Sequence, residues 1–167
     1  MKRIFVLFLV LLWVATAKAG IPYRGYMDFS LGDAYNFNTA QTVSTNNMQL
    51  YGMASTTHGI VLKNWFLGAG VGYYHSFRDQ ENMFPLYLAV RNTLDKVKVH
   101  PYIEARAGIV YDPLWERKLQ VYGTLGAGVS LHKTIQLGVR LSAFSRPSRY
   151  FTANAAVAVS YSFGRNR

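Results

Sequence analysis

The chain of 167 residues contains no cysteine. Without a thiol it can build no disulfide framework, no thiolate metal site and no cysteine nucleophile. Acidic residues are also few, with 8 Asp and Glu against 18 Lys and Arg, and there are only 5 prolines. Stability must therefore come from side-chain packing and backbone pairing. No linker or low-complexity stretch divides the chain, so one domain is predicted.

The N-terminus carries the pattern of a secretion signal. Lys2 and Arg3 form a positive region, residues 4–14 are an unbroken apolar run, and Ala17-Lys18-Ala19 has the small-x-small form of a cleavage site. The apolar run is shorter than the roughly 20 residues that a membrane-spanning helix needs. We therefore interpret residues 1–19 as a cleaved signal peptide and residues 20–167 as a single domain. No cysteine follows the site, which argues against a lipoprotein anchor.

The basic balance does not indicate a nucleic-acid partner. Removing Lys2, Arg3 and Lys18 with the signal lowers the basic count from 18 to 15 and the formal charge from +10 to +7. The remaining basic residues are scattered, with no dense run and no helical stripe. No nucleic acid is expected to bind a secreted chain of this kind.

After the signal, large apolar and small or polar residues alternate with a period of two, which is the side-chain period of a β-strand. In one segment Ile103 and Ala105 lie on one face, while Glu104 and Arg106 lie on the other. No segment of helical length has a 3.6-residue period. Eight such strands are predicted, at residues 23–35, 48–57, 65–77, 84–93, 97–111, 119–132, 135–144 and 150–163.

Several segments exceed the roughly 9 to 11 residues that a tilted strand needs to cross a bilayer. Alternation alone does not say which face points outward, and a soluble barrel with an apolar interior is the main alternative. The polar face is mostly Gly, Ser, Thr, Tyr and Asn, whereas a water-exposed wall would carry many Lys and Glu. Its charges have both signs and could pair inside a narrow lumen. The predicted luminal polar network is Arg24, Asp28, Arg91, Glu104, Arg106 and Arg140.

Aromatic residues occur at both ends of the apolar face, as in the two interfacial girdles of an outer-membrane barrel. Trp65 and Phe163 lie at one end, and Phe77, Phe84, Tyr111 and Phe151 lie at the other. The predicted fold is therefore all-β, an eight-stranded antiparallel up-and-down transmembrane β-barrel. Its termini would be periplasmic, and the longest outer link, at residues 36–47, is rich in Asn and Thr.

Several segments resemble small outer-membrane barrels of the OmpA/OmpX-like or porin-family kind, as found in Bacteroidetes. They are Ser55-Thr-Thr-His58-Gly59 at the predicted turn after the second strand, Phe66-Leu-Gly-Ala-Gly-Val-Gly72, Pro85-Leu-Tyr87 with Val90-Arg91, Pro101-Tyr-Ile-Glu-Ala-Arg-Ala-Gly108 and the aromatic-ended last strand. The resemblance implies an integral protein of the bacterial outer membrane that is recognised by the barrel-assembly machinery. The family usually ends on the aromatic, but here Gly164-Arg-Asn-Arg167 follows it.

The leading functional hypothesis is a non-enzymatic barrel whose lumen is filled by its own side chains, with a structural or surface-interaction role. A narrow porin that passes water or small ions is the close alternative. A lipid A-modifying enzyme is the alternative from another class, and its candidate groups would be His58, His75, His100, His132 and Ser130. No carboxylate is evidently placed to orient a histidine as a catalytic triad requires. Adhesion through the first outer link is a further hypothesis.

No cofactor and no metal site are predicted, because the histidines are scattered rather than clustered. The expected partners are outer-membrane lipids and lipopolysaccharide, and the barrel-assembly machinery during biogenesis. A closed barrel leaves no unpaired strand edge, so a monomer is expected.

Cleavage of the signal gives the first test. Protein purified from the outer-membrane fraction of an expressing cell should begin at Gly20, because the small-x-small pattern ends at Ala19. Intact-mass measurement of the purified chain checks this directly. A chain that still carries Met1 to Ala19 in the membrane would contradict the interpretation.

Overall fold

The computed structural model describes residues 22–38, 49–94, 99–113, 119–131, 134–146 and 150–164. These residues form a closed barrel in which every strand pairs antiparallel with its neighbours in the chain, and the last strand pairs with the first. Within these ranges no helix is long and apolar enough to span a membrane. The strands are β1 (Tyr23–Asn38), β2 (Gln49–Leu62), β3 (Trp65–Ser76), β4 (Asn82–Thr93), β5 (His100–Tyr111), β6 (Leu119–Ser130), β7 (Ile135–Arg146) and β8 (Tyr150–Gly164).

The register of the strands defines the tilt of the barrel. Starting at Arg24 and following the registered partner from strand to strand, the path returns to β1 at Ala34, ten residues further along. A stagger of ten residues over eight strands tilts the strands by about 40° from the barrel axis, given the usual strand spacing and rise. An eight-stranded barrel of this kind has an interior just wide enough to be filled by side chains.

Burial alternates along the strands and shows which face points inward. Leu88, Val121 and Leu125 are 69%, 68% and 67% exposed on the outer wall, whereas Arg91 is 1% exposed in the interior. A soluble barrel would show the opposite arrangement, with its apolar residues inside. The predicted all-β, eight-stranded antiparallel barrel is confirmed, and the soluble-barrel alternative is wrong in its orientation.

The predicted end of the second strand is wrong. The sequence placed a link at residues 58–64, but β2 continues through His58 and Gly59 to Leu62, and only Lys63 and Asn64 form the turn to β3. Thr56 and His58 are polar residues on the outer face, so the apolar alternation fades before the strand ends. Backbone pairing with β1 and β3 nevertheless continues across this stretch.

Smaller boundary differences occur elsewhere. β5 begins at His100, with Val99 in a bend before it, and the predicted strand residues 97 and 98 lie outside the described residues. Leu131 lies beyond the end of β6. Phe77 belongs to the turn after β3. β1, β4 and β7 are longer than predicted because strand pairing extends into residues that lack clear alternation. Most of the long first link, at residues 39–48, lies outside the described residues.

Interior glycines make room for large luminal side chains such as Tyr102. A β-carbon added at Gly128 would lie 2.7 Å from the Tyr102 hydroxyl oxygen, and one added at Gly138 would lie 2.5 Å from it. In contrast, Gly123 faces outward, and its added β-carbon would meet only the Arg106 carbonyl oxygen, at 3.9 Å.

We expect Gly138→Ala to lower the free energy of unfolding by about 1–3 kcal/mol, because the new methyl group overpacks the lumen against Tyr102. The matched substitution Gly123→Ala, on the outer wall, should change it by less than about 0.5 kcal/mol. Urea unfolding of both variants in lipid vesicles measures the difference. Equal effects at the two positions would contradict the packing that the structure gives to Tyr102.

Candidate functional site

Five charged side chains meet in the middle of the lumen. They come from β1, β4, β5 and β7, and each of their side chains is at most 6% exposed. We call this group the charged cluster; its members are Asp28, Arg91, Glu104, Arg106 and Arg140. Because luminal side chains come from every second residue of a strand, the alternation of each strand brings these residues to the same interior.

Asp28 is the carboxylate at the centre of the charged cluster. Its Oδ2 accepts a hydrogen bond from Arg106 Nη2 at 2.7 Å, and its Oδ1 accepts one from Arg140 Nη2 at 2.7 Å. The Ser160 hydroxyl also donates to Oδ1, and Arg91 Nη2 lies 3.8 Å from the same oxygen. Asp28 therefore joins strands that are far apart both in sequence and around the barrel.

Glu104 is the second carboxylate, and it contacts the same three arginines. Its Oε1 accepts from Arg106 Nε at 2.7 Å and lies 3.2 Å from Arg140 Nε. Its Oε2 accepts from Arg91 Nε at 2.9 Å and also from Arg91 Nη2. Each guanidinium thus bridges both acids, and a buried charge needs such pairing and hydrogen bonding to be tolerated.

Three arginines against two acids leave one positive charge in excess, and aromatic rings face the guanidinium groups. The Arg91 guanidinium carbon lies 4.0 Å from the ring centre of Tyr26 and 4.5 Å from that of Tyr102. The guanidinium carbon of Arg106 lies 4.9 Å from the ring centre of Tyr87. The negative face of an aromatic ring attracts a cation, and the attraction strengthens when water is excluded.

Neutral polar side chains complete the hydrogen bonding of the charged cluster. Arg106 Nη1 donates to the Tyr87 hydroxyl at 2.9 Å and to Ser55 Oγ at 3.2 Å. Arg91 Nη1 donates to Gln136 Oε1. Ser55 and Tyr87 lie in segments that carry the family resemblance, but Ser55, Tyr87, Gln136 and Ser160 were not predicted as members of the luminal network. In the sequence, all four share one property: each has a hydrogen-bonding side chain at an inward position of the alternating strand pattern.

The two strands that supply no side chain to these contacts, β3 and β6, supply glycines in their place. A β-carbon at Gly126 of β6 would lie 3.2 Å from Arg140 Cγ and 3.7 Å from Glu104 Oε1. One at Gly70 of β3 would lie 2.6 Å from the ring of Tyr87. The charged cluster therefore occupies space that these glycines leave open.

A second, mainly apolar layer fills the lumen between the charged cluster and the end of the barrel that bears the long first link. Tyr51 stacks on Tyr74 with ring centres 4.8 Å apart, and Phe144 meets Tyr74 edge-on at 5.7 Å. The space left among these side chains is only about 10 Å³, close to the lower limit for one water molecule. We call this layer the aromatic plug; its main members are Tyr51, Tyr74, Met83, Val110, Tyr122 and Phe144.

Of the six residues predicted as the luminal network, the structure brings five into the charged cluster. The sixth, Arg24, is half-buried four residues before Asp28 on the same strand, nearer the end of the barrel where the termini lie. Parity along a strand gives the face of a residue and not its height in the lumen. The aromatic plug was not predicted as a separate layer, because the inward face was described only by its overall composition of mostly Gly, Ser, Thr, Tyr and Asn.

The residues predicted as aromatic girdles lie near the two ends of the outer wall. Trp65 is 50% exposed at one end, and Phe77 is 52% exposed at the other. Phe84 and Tyr111 are exposed register partners at the same end as Phe77. Phe163 is half-buried with its ring over Gly25. The side chain of Phe151 lies outside the described residues. Their role as girdles stays a prediction.

The histidines considered for catalysis are distributed over the barrel. His58, on the outer wall, contacts the Tyr23 hydroxyl through Nδ1 and lies 2.9 Å from Thr56 Oγ1 through Nε2. His75 is also on the outer wall, near the opposite end. His100 and Ser130 are register partners on β5 and β6, and His132 lies outside the described residues. No group of three or more His, Asp or Glu side chains within the described ranges could hold a metal ion.

An antiparallel barrel of eight long strands, with an apolar outer wall and a packed polar interior, defines the architecture of a small transmembrane barrel. Solved structures of small outer-membrane barrels share it. Neisserial surface protein A superimposes with a TM-score of 0.57 over 84% of this chain and 97% of that one, at 11% identity. No protein-family model and no curated protein matches the chain.

Two further structures are similar. The outer membrane enzyme PagL matches with a TM-score of 0.59 and 13% identity, over 80% of this chain and 98% of that one. Ail, the attachment invasion locus protein of Yersinia pestis, was solved in complex with the heparin analogue sucrose octasulfate. Ail matches with a TM-score of 0.51 and 9% identity, over 86% of this chain and 100% of that one. At identities of 9% to 13%, the similarity to these structures shows a shared fold.

We expect Asp28→Asn to lower the free energy of unfolding by about 3 kcal/mol or more, because three buried guanidinium groups would then face a single carboxylate. Asp33→Asn is the matched control, since Asp33 lies on the same strand but on its outer face, half-buried. Its effect should stay within about 0.5 kcal/mol. Urea titration of both variants in vesicles gives the two values, and a small loss for Asp28→Asn would contradict a buried, paired cluster.

Proposed function

We infer that the protein is a non-enzymatic integral protein of the bacterial outer membrane, with a side-chain-filled lumen and a structural or surface-interaction role. The signal peptide would be removed on export, and the chain would insert as a monomer with the help of the barrel-assembly machinery. Outer-membrane lipids, including lipopolysaccharide, would surround its wall.

The wall of the barrel supports this location. Its outward residues are mostly apolar, and large ones such as Leu88, Val121 and Leu141 are more than 60% exposed. Such a surface needs a cover other than water. The strands of 12 to 16 residues exceed the roughly 9 to 11 that a tilted strand needs to cross a bilayer. Trp65 at one end and Phe77 at the other are suited to the two membrane interfaces.

The observation that best supports a lumen filled by side chains is the charged cluster. Its side chains are nearly inaccessible, and each acid is held by three arginines. Moving one of these groups aside to open a path would separate buried opposite charges, which costs several kcal/mol. The aromatic plug forms a second barrier on the same path.

The two alternatives make different demands on the interior and the wall. A narrow porin needs a continuous luminal path, which both the charged cluster and the aromatic plug oppose. A lipid A-modifying enzyme needs a reactive group on the wall. There, His58 contacts Tyr23 and Thr56, and His75 contacts Asn82, whereas a triad would use a carboxylate. The non-enzymatic reading is therefore preferred.

Single-channel recording in planar bilayers tests the filled lumen. The refolded protein should give no openings, and Arg106→Ala alone should stay silent because the aromatic plug remains. Combining Arg106→Ala with Tyr74→Ala and Tyr122→Ala should produce small, reproducible openings, since both barriers are then thinned.

Heat-dependent migration on gels, which distinguishes folded from unfolded barrels, is the control that each variant is folded. Regular openings of the wild-type protein would overturn the filled lumen and favour the porin alternative. Silence of a folded triple variant would show that other luminal groups close the barrel.

A further inference from the structure

On the outer face of β2, two successive outward positions are small and lie beside large residues of both neighbouring strands. In one row of registered partners, Gly52 lies between Leu31 of β1 and His75 of β3. In the next row, Ala54 lies between Phe29 of β1 and Tyr73 of β3. The small residues of β2 therefore lie below the level of their neighbours on both sides.

This arrangement forms an open depression in the outer wall, which also reaches Val157 and Val159 of β8. We call it the β2 groove. Gly52 and Ala54 are its floor, the exposed side chains of Phe29 and Leu31 form one side, and Tyr73 and Phe77 form the other. Its position is in the half of the barrel that bears the long first link, which is the outer half in the proposed orientation.

One end of the β2 groove carries a hydrogen-bonded polar group. The Tyr73 hydroxyl donates to Asn82 Oδ1 at 2.5 Å, and His75 Nδ1 lies 2.8 Å from the same oxygen. A carbonyl oxygen can only accept, so His75 carries its proton on Nδ1. His75 is half-buried, with its ring edge-on to Phe77 at 5.0 Å.

In the neutral ring with its proton on Nδ1, the second ring nitrogen of His75, Nε2, is a hydrogen-bond acceptor. Within the described residues the hydrogen bond of His75 is the one to Asn82, which leaves Nε2 for a donor from outside the barrel. The β2 groove thus joins an apolar channel to one acceptor that is held in orientation by Asn82 and Tyr73. A ligand that matches it has a narrow apolar chain and a hydrogen-bond donor near one end of that chain.

We propose that the β2 groove binds one acyl chain of lipid A in the outer leaflet, and that a 3-hydroxyl group on that chain donates a hydrogen bond to His75 Nε2. Ester carbonyls and phosphates are acceptors and cannot satisfy Nε2, whereas a hydroxyl can. The proposal rests on the proposed location in the outer membrane.

The floor of the groove gives the first test. Ala54→Leu should fill the β2 groove and weaken binding of hexa-acylated lipid A by about tenfold or more, which corresponds to roughly 1.4 kcal/mol. Ala127→Leu is the matched control, because Ala127 is an exposed outward residue of β6, paired with Ile103 and Val139 away from the groove. Native mass spectrometry of the full mature protein, released from detergent micelles with increasing lipid A, measures the bound fraction.

If Ala54→Leu does not fold, Gly52→Leu repeats the test at the neighbouring floor position. A β-carbon there would lie 3.5 Å from the Phe77 ring, an ordinary contact, so the start of a side chain is accommodated. Equal lipid A binding by the wild type, a folded floor variant and Ala127→Leu would overturn the proposal. A dimer that the floor variant abolishes would assign the groove to a second copy of the chain and overturn it as well.

The polar end gives the second test. The wild type should bind lipid A more tightly than phosphatidylethanolamine with unhydroxylated chains, by about tenfold for one hydrogen bond. His75→Phe keeps an aromatic ring but removes the acceptor, so it should reduce this preference about tenfold. An unchanged preference in His75→Phe would remove the hydroxyl contact from the proposal.

These outcomes are separate from the fate of the proposed function. Failure of the wild type to insert into vesicles would contradict the outer-membrane location, while binding in micelles would still report on the groove. If the wild type inserts into vesicles but binds no lipid A, only the proposed binding of lipid A in the β2 groove is contradicted.

Discussion

The pairing of Asp28 and Glu104 with three arginines is the interaction on which the rest of the structure depends. Each acid contacts all three guanidinium groups, and all five side chains are almost completely buried. Charges in such a place are tolerated only when they are paired and hydrogen-bonded. The register of β1, β4, β5 and β7 must therefore hold these groups at one height, because a two-residue slip keeps the face of a side chain but moves it out of reach.

The same constraint accounts for the small residues of the interior and the large residues of the wall. Long guanidinium groups and tyrosines need space, which β3 and β6 provide through glycines such as Gly70 and Gly126. With polar groups inside, the apolar half of each strand must face outward. The fold is then an inverted soluble barrel, and the apolar wall is stable only against a medium such as a lipid bilayer.

Much of this architecture was predictable from the sequence, because strand alternation is a local property. The number of strands, their antiparallel order and the face of residues such as Glu104 and Arg106 follow from a period of two. The end of β2 could not be predicted in this way, because Thr56 and His58 place polar groups on the outer face. Only pairing with β1 and β3 keeps the strand regular there. The β2 groove lies further along the same face, at Gly52 and Ala54.

Height along the barrel axis was harder to predict than face. It depends on the stagger accumulated over all eight strands, and no single strand encodes it. For this reason Arg24 and Asp28 were predicted as equivalent members of one network, whereas the structure separates them along the lumen. The aromatic plug escaped prediction for a related reason. Residues such as Tyr51 and Phe144 share the inward face with the charges but lie at a different level.

The most direct test of the central claim is the coupling energy between Asp28 and Arg106, measured by a double-mutant cycle of Asp28→Asn and Arg106→Met in lipid vesicles. Close, buried charge pairs couple by about 1.5 kcal/mol or more. The loss of unfolding free energy in the double variant should be smaller than the sum of the two single losses by this amount, because either substitution alone already breaks the pair. Additive losses would show that the two groups do not interact in the folded barrel and would contradict the charged cluster as its organising contact.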